Sequence, residues 1–93
     1  MKLPFKRKLR NCIRKDTYQY YVQESTIQDI WKEIVSYFGT PRILDDFSLE
    51  IIEDERAIIK KGLSEAKFTL IKKSQFKRED EEFIARATGV KIV

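Results

Sequence analysis

The 93-residue chain is 42% hydrophobic and 37% charged, with 19 Lys and Arg against 15 Asp and Glu for a net charge of +4. This is enough apolar material for one small core, and too much for a disordered tail. With no His and a single Cys, Cys12, the chain excludes a Cys/His zinc site, a His-based acid–base pair, a Ser-His-Asp triad and an internal disulfide.

The charges are segregated along the chain. Residues 1–15 hold Lys2, Lys6, Arg7, Lys8, Arg10, Arg14 and Lys15 and no acid (+7), residues 16–55 hold ten acids against Lys32 and Arg42 (−8), and residues 56–93 hold ten bases against five acids (+5). Such a distribution suits a protein that turns one basic face to a polyanion. The alternative is that the basic runs are solvated surface. The chain therefore divides into a basic N-terminal arm, 1–15, and a single α+β domain, 16–93. Within the arm, Phe5, Leu9 and Ile13 recur every four residues, which fits a short helix starting at Pro4.

In the domain, residues 17–23 alternate Tyr18, Tyr20 and Val22 with Thr17, Gln19 and Tyr21, which predicts a strand. Ser25 and Gln28 have the spacing of a capping box. Beyond them Ile27, Ile30, Trp31, Ile34, Val35 and Phe38 form one unbroken apolar helical face, stopped by Gly39 and Pro41. After a loop at 40–45, alternation over 47–53 and again over 56–60, across the turn Glu53-Asp54-Glu55, predicts a hairpin. Residues 64–74 are ambiguous: Ser64 could cap a short helix, while Ala66, Phe68 and Leu70 alternate as in a strand. A polar stretch at 77–81 follows, either loop or helix start, and Phe83, Ala85 and Ala87 then alternate with Ile84, Arg86 and Thr88. With Gly89 as a bulge, that pattern predicts a closing strand to the end of the chain.

Taking 64–74 as the helix, the order is βαββαβ. Right-handed crossovers fold it into a ferredoxin-like sandwich, a four-stranded antiparallel sheet with two helices on one face. That superfold hosts many functions. Its RNA-reading members stack bases on aromatics of the central strands, but here Tyr21 is the only outward ring expected on the first strand, and Ala57-Ile58-Ile59-Lys60 has none. Phosphate contact is the better expectation, through Lys6, Arg7, Lys8, Arg10, Arg14 and Lys15 in the arm and the pairs Lys60-Lys61 and Lys72-Lys73. The carboxylates Asp45-Asp46 and Glu53-Asp54-Glu55 fall in predicted turns, where acids are ordinarily solvated, and the three scattered glycines form no phosphate-cradling loop. The longest apolar runs are a few residues, far short of the roughly 18 to 20 that cross a bilayer. No membrane partner is expected, and the expected compartment is the cytoplasm.

The residues also resemble a known family. A basic arm with Leu3-Pro4 runs into Tyr20-Tyr21-Val22-Gln23-Glu24-Ser25; a helix ending in Phe38-Gly39 leads to Leu49-Glu50-Ile51-Ile52 and Arg56-Ala57-Ile58-Ile59-Lys60; the chain closes on Phe83-Ile84-Ala85-Arg86-Ala87-Thr88-Gly89-Val90. On this topology the chain is similar to the small α/β protein subunit of archaeal and eukaryotic ribonuclease P, the Pop-five/Rpp-fourteen family, although Ile92 stands where that family usually has a second glycine. The resemblance implies an RNA-binding subunit of a ribonucleoprotein that matures the 5′ end of precursor tRNA. Catalysis would belong to the RNA and its Mg²⁺ ions, so the protein would hold neither cofactor nor catalytic residue. It adds Arg86 to the candidate RNA contacts. As partners it implies structured RNA (ribonuclease P RNA and precursor tRNA), other ribonuclease P protein subunits and a second copy of the chain. The rival reading is a small protein-interaction or regulatory module whose basic arm meets an acidic partner.

Overall fold

Alternation with a period of two governs residues 5–9 and 67–72, where the sequence reading took a helix, and yields to helical spacing at 83–88, where it took a strand. The protein, seen in a computed structural model that describes residues 3–9 and 16–91, has six strands and two helices. In order they are β1 (Phe5–Leu9), β2 (Thr17–Tyr21), α1 (Ile27–Phe38), β3 (Arg42–Leu44), β4 (Leu49–Glu53), β5 (Ala57–Gly62), β6 (Lys67–Lys72) and α2 (Arg78–Thr88), with a 3₁₀ turn at Asp45–Phe47 before β4. The strands make one antiparallel sheet in the order β1-β2-β6-β5-β4-β3. The four-stranded ferredoxin-like sandwich is thereby corrected to a six-stranded antiparallel sheet with two helices.

Four local choices account for the difference. First, strand β3 pairs with β4, from Arg42 opposite Ile51 to Leu44 opposite Leu49, where a loop was expected at 40–45. Second, Phe5, Arg7 and Leu9 alternate with Lys6 and Lys8, and that pattern wins over the four-residue one: β1 pairs along β2, Phe5 opposite Tyr21 and Leu9 opposite Thr17. The expected helix from Pro4 is absent, and Ile13 lies outside the described residues. Third, residues 67–72 take the strand alternative, and β6 joins β2 to β5, pairing Tyr20 with Phe68 and Ile59 with Leu70. Fourth, the predicted closing strand is α2. Glu79, Asp80 and Glu81 in its first turn and Arg86 in its last suit the helix dipole. Asp80, Ile84 and Thr88, spaced by four, are its buried stripe. Gly89, at φ 81°, ends it with its N–H on the Ala85 carbonyl. Alternation at 83–88 coexists with this helical stripe, and the polar members Asp80 and Thr88 conceal the stripe in the sequence.

The expected α1 forms, with Ile27, Ile30, Trp31, Ile34 and Phe38 buried. It begins at Ile27 without the capping box: the Thr26 hydroxyl donates instead to the Gln23 carbonyl at 3.0 Å. Both helices cover one face of the sheet. There Tyr20, Phe68, Leu70, Ile59, Ala57 and Ile52 meet the α1 stripe and Ile84 of α2 in a single core. Tyr20 and Phe68 stack at 4.9 Å, a pair worth about 0.5–1.5 kcal/mol beyond its buried area. The opposite face, carrying Phe5, Arg7, Gln19, Tyr21, Thr69 and Lys60 by register, has no helix on it among the described residues, although Thr17 and Ile71 at its far end are buried.

Polar ties then fix the helices to the sheet. Asp80, 2% exposed, accepts from the Lys77 N–H at 2.9 Å and from the Tyr37 hydroxyl at 2.7 Å, with Arg56 Nη1 at 3.5 Å. Arg56 also pairs with Asp54 at 2.7 Å and lies 4.7 Å from the Phe38 ring centre. One guanidinium thus ties the β4–β5 turn to the end of α1 and the start of α2.

Candidate nucleic-acid interface

The sheet brings basic residues from the two ends of the sequence together, because β1 and β6 flank β2 and α2 lies over them. Along α2 runs a groove in two adjoining parts that share Lys72 and Glu81, one of about 670 Å³ between β1 and α2 and one of about 470 Å³ between the end of β6 and the start of α2. One part is lined by Lys6, Lys8 and Lys91 with Tyr18, the other by Lys73, Lys77 and Arg78 with Asp16 and Phe76. Seven bases and two carboxylates therefore face this groove. Lys8, Lys77 and Lys91 make no ion pair among the described residues.

Glu81 sits at the middle. It holds Lys6 at 3.2 Å on one oxygen and Lys72 at 2.6 Å on the other, all three side chains being about a fifth exposed or less. Lys72 also lies 4.6 Å from the centre of the Tyr18 ring. Burial pushes the Glu81 carboxyl up, but the ammonium groups of Lys72 and Lys6 outweigh it and hold it below the usual carboxylate range. Asp54 behaves likewise: burial raises it, and hydrogen bonds from Arg56 and the Ala57 N–H bring it below its ordinary value. A carboxylate depressed in the folded state contributes stability that is complete above its unfolded pKa and is lost as the pH falls through its folded value. Melting temperature is accordingly expected to drop on acidification below about pH 4, and to drop less steeply in Glu81→Gln. Parallel wild-type and Glu81→Gln curves in a circular-dichroism pH series would show that these ion pairs carry no stability.

The candidate contacts named from sequence separate into distinct groups. Lys6, Lys8, Lys72 and Lys73 are brought together at the groove. Lys61 is not: it is 2% exposed, pairs with Glu50 at 3.6 Å, donates to the Gly62 carbonyl at 3.0 Å and lies over Trp31, so it is a core cation with no path to a phosphate. Its neighbour Lys60 points to the opposite face, as alternation requires. Arg7 is on that face too, donating to Gln19 at 3.0 Å and to the Tyr21 hydroxyl at 3.3 Å. Arg86 is exposed on α2, lining a separate cleft with Asp29 and Glu33. Arg10, Arg14 and Lys15 lie outside the described residues.

Sequence reasoning passed over Lys77, Arg78 and Lys91, whose only signal was the base pair Lys77-Arg78 before an acidic helix start. Among the described residues no group of three or more acids or cysteines is placed to hold a metal. Asp45 and Asp46 are exposed, and Asp54 is engaged by Arg56. Among those residues, too, no helix is long and apolar enough to cross a membrane. The groove's charge suits a polyanion, and among the described residues no nucleophile lining it is set against a base. No protein-family model matches the chain, no curated protein is detectably similar to it in sequence, and no solved structure matches its fold.

Proposed function

We propose that the chain binds structured RNA as a non-catalytic subunit of a ribonucleoprotein, with the groove along α2 taking the phosphate backbone. The observation that carries this reading is the convergence of Lys6 and Lys8 from β1, Lys72 from β6, and Lys73, Lys77 and Lys91 from the segments flanking α2 around one groove. Scattered surface lysines would not converge, and a groove holding bases from both ends of the chain tracks a backbone in the way phosphate contacts require. Ribonuclease P is the particle that the sequence resemblance suggests, and there the RNA would bring its own Mg²⁺. That resemblance was framed on a closing strand at residues 83–90 that is helix α2, so the RNA reading rests on the groove's charge.

Filter binding of a folded transfer RNA across salt tests it. Neutralising about five phosphates predicts a slope near −4 to −5 for log affinity against log salt. A flat dependence between about 50 and 200 mM salt would remove the RNA reading in favour of a protein-interaction module.

A further inference from the structure

We propose that the sheet face turned away from the helices, at the Tyr21 end of β2, takes an unpaired nucleobase, so that the chain recognises single-stranded as well as folded RNA. The inference rests on the RNA-binding reading above and adds to it a second, chemically different subsite.

Two rings are present where sequence reasoning expected one. Strand β1 sets Phe5 opposite Tyr21, and their rings stack at 4.8 Å with planes 14° apart. Arg7 and Lys67 bring their cationic groups to 5.8 and 5.9 Å from the Tyr21 ring centre. Lys60, half-buried on the same face, makes no ion pair among the described residues. Aromatic surface bordered by cations is what sequence-tolerant binding of single strands uses, the ring meeting a base and the cations its phosphates.

Beside Tyr21, at the ends of β2 and β6, lies a cleft of about 490 Å³. Leu3, Val22 and Ala66 give it apolar walls, and Glu24 and Glu65 stand at it with Lys67. Two carboxylates repel a phosphate but accept hydrogen bonds from the exocyclic amino groups of cytosine, adenine and guanine. The cleft therefore suits the base, and the backbone suits the side of Arg7 and Lys60. Charge also favours a polyanion over a second copy of the chain as the occupant. By register the face carries Arg7, Lys60, Lys67 and Arg42. Glu53 pairs with Arg42 at 3.8 Å and Glu65 with Lys67 at 3.9 Å, so Arg7 and Lys60 are the cations that no ion pair offsets among the described residues, and a polyanion complements them.

Fluorescence anisotropy with the full chain tests this, using a labelled cytidine-rich single strand of about 12 nucleotides and a fully paired RNA hairpin. Tyr21→Leu is expected to weaken single-strand binding about tenfold and leave the hairpin unchanged. Tyr21→Phe, which keeps the ring and loses the hydroxyl, is expected to bind both as wild type does, and melting curves of the variants check that they fold. Equal weakening of both RNAs by Tyr21→Leu, or none of either, overturns the inference while leaving the groove reading in place. Failure of the wild type to bind either RNA in a salt-dependent way overturns the groove reading and this one together. A wild-type dimer in sedimentation that Tyr21→Leu dissociates assigns the face to a second copy and overturns the inference as well.

Discussion

Asp80→Ala is expected to destabilise the chain by about 3–5 kcal/mol, as breaking a buried charged pair does, a large share of the roughly 5–15 kcal/mol that holds a small domain together. The carboxylate is 2% exposed and serves three groups at once: the Lys77 N–H, the Tyr37 hydroxyl and the Arg56 guanidinium. Removing it leaves Tyr37 without that acceptor, takes the side-chain acceptor from the first turn of α2, and leaves Arg56 with Asp54 as its one carboxylate. Each of these costs about 1–3 kcal/mol when a buried polar group loses its partner. Asp80→Asn, of the same shape and still able to accept, is expected to cost less. Urea denaturation compares the two. An alanine variant within about 1 kcal/mol of wild type would mean that the three groups find water instead.

The second large effect concerns binding. If the groove binds RNA as proposed, Lys73→Glu combined with Lys77→Glu is expected to lower affinity for folded RNA about a hundredfold at low salt and to flatten the salt slope by about two, since two phosphate contacts would become repulsive. Both residues are exposed, and Lys73 gives up only surface contacts, with Glu53 at 3.8 Å and the Asp54 carbonyl at 2.9 Å, so stability should fall by no more than about 1 to 1.5 kcal/mol. Lys61→Glu is the contrasting case. It would set a second carboxylate beside Glu50 in the core, and the measurement that should respond is the melting curve. Filter binding at several salt concentrations together with thermal melts separates the two. A double variant that binds folded RNA like wild type would place the phosphates elsewhere.

What the sequence made legible follows the strength of the local signal. Helix α1 could be read from residues 27–38 because six apolar residues fall on one helical face and Gly39 stops it. The β4–β5 hairpin could be read because its alternation is flanked by a turn. Helix α2 could not, since two of its three buried positions are Asp80 and Thr88, whose burial depends on partners elsewhere: Tyr37 and Arg56 for Asp80, and the Ile84 carbonyl for the Thr88 hydroxyl at 2.7 Å. Strand β1 was hidden by the competing four-residue spacing of Phe5, Leu9 and Ile13. The groove was half legible. Lys6, Lys8, Lys72 and Lys73 stand out as charge, but whether a lysine serves a phosphate or a neighbour depends on the face to which alternation turns it. Lys60 and Lys61 are adjacent in the chain and end on opposite sides of the sheet.

A sheet this wide has two rims, β1 and β3, along which no further strand is paired among the described residues, and a rim of that kind is one that another chain could extend. On one rim β3 is three residues long, too short to template a further strand. On the other, β1 presents Lys6, Arg7 and Lys8 in succession, so the same rim of a neighbouring molecule would bring like charges directly across the new ladder. The lysines that make this rim attractive to a polyanion are thus also its guard against growing into a continuous sheet. Mutations that neutralise them would carry a concentration-dependent cost in aggregation.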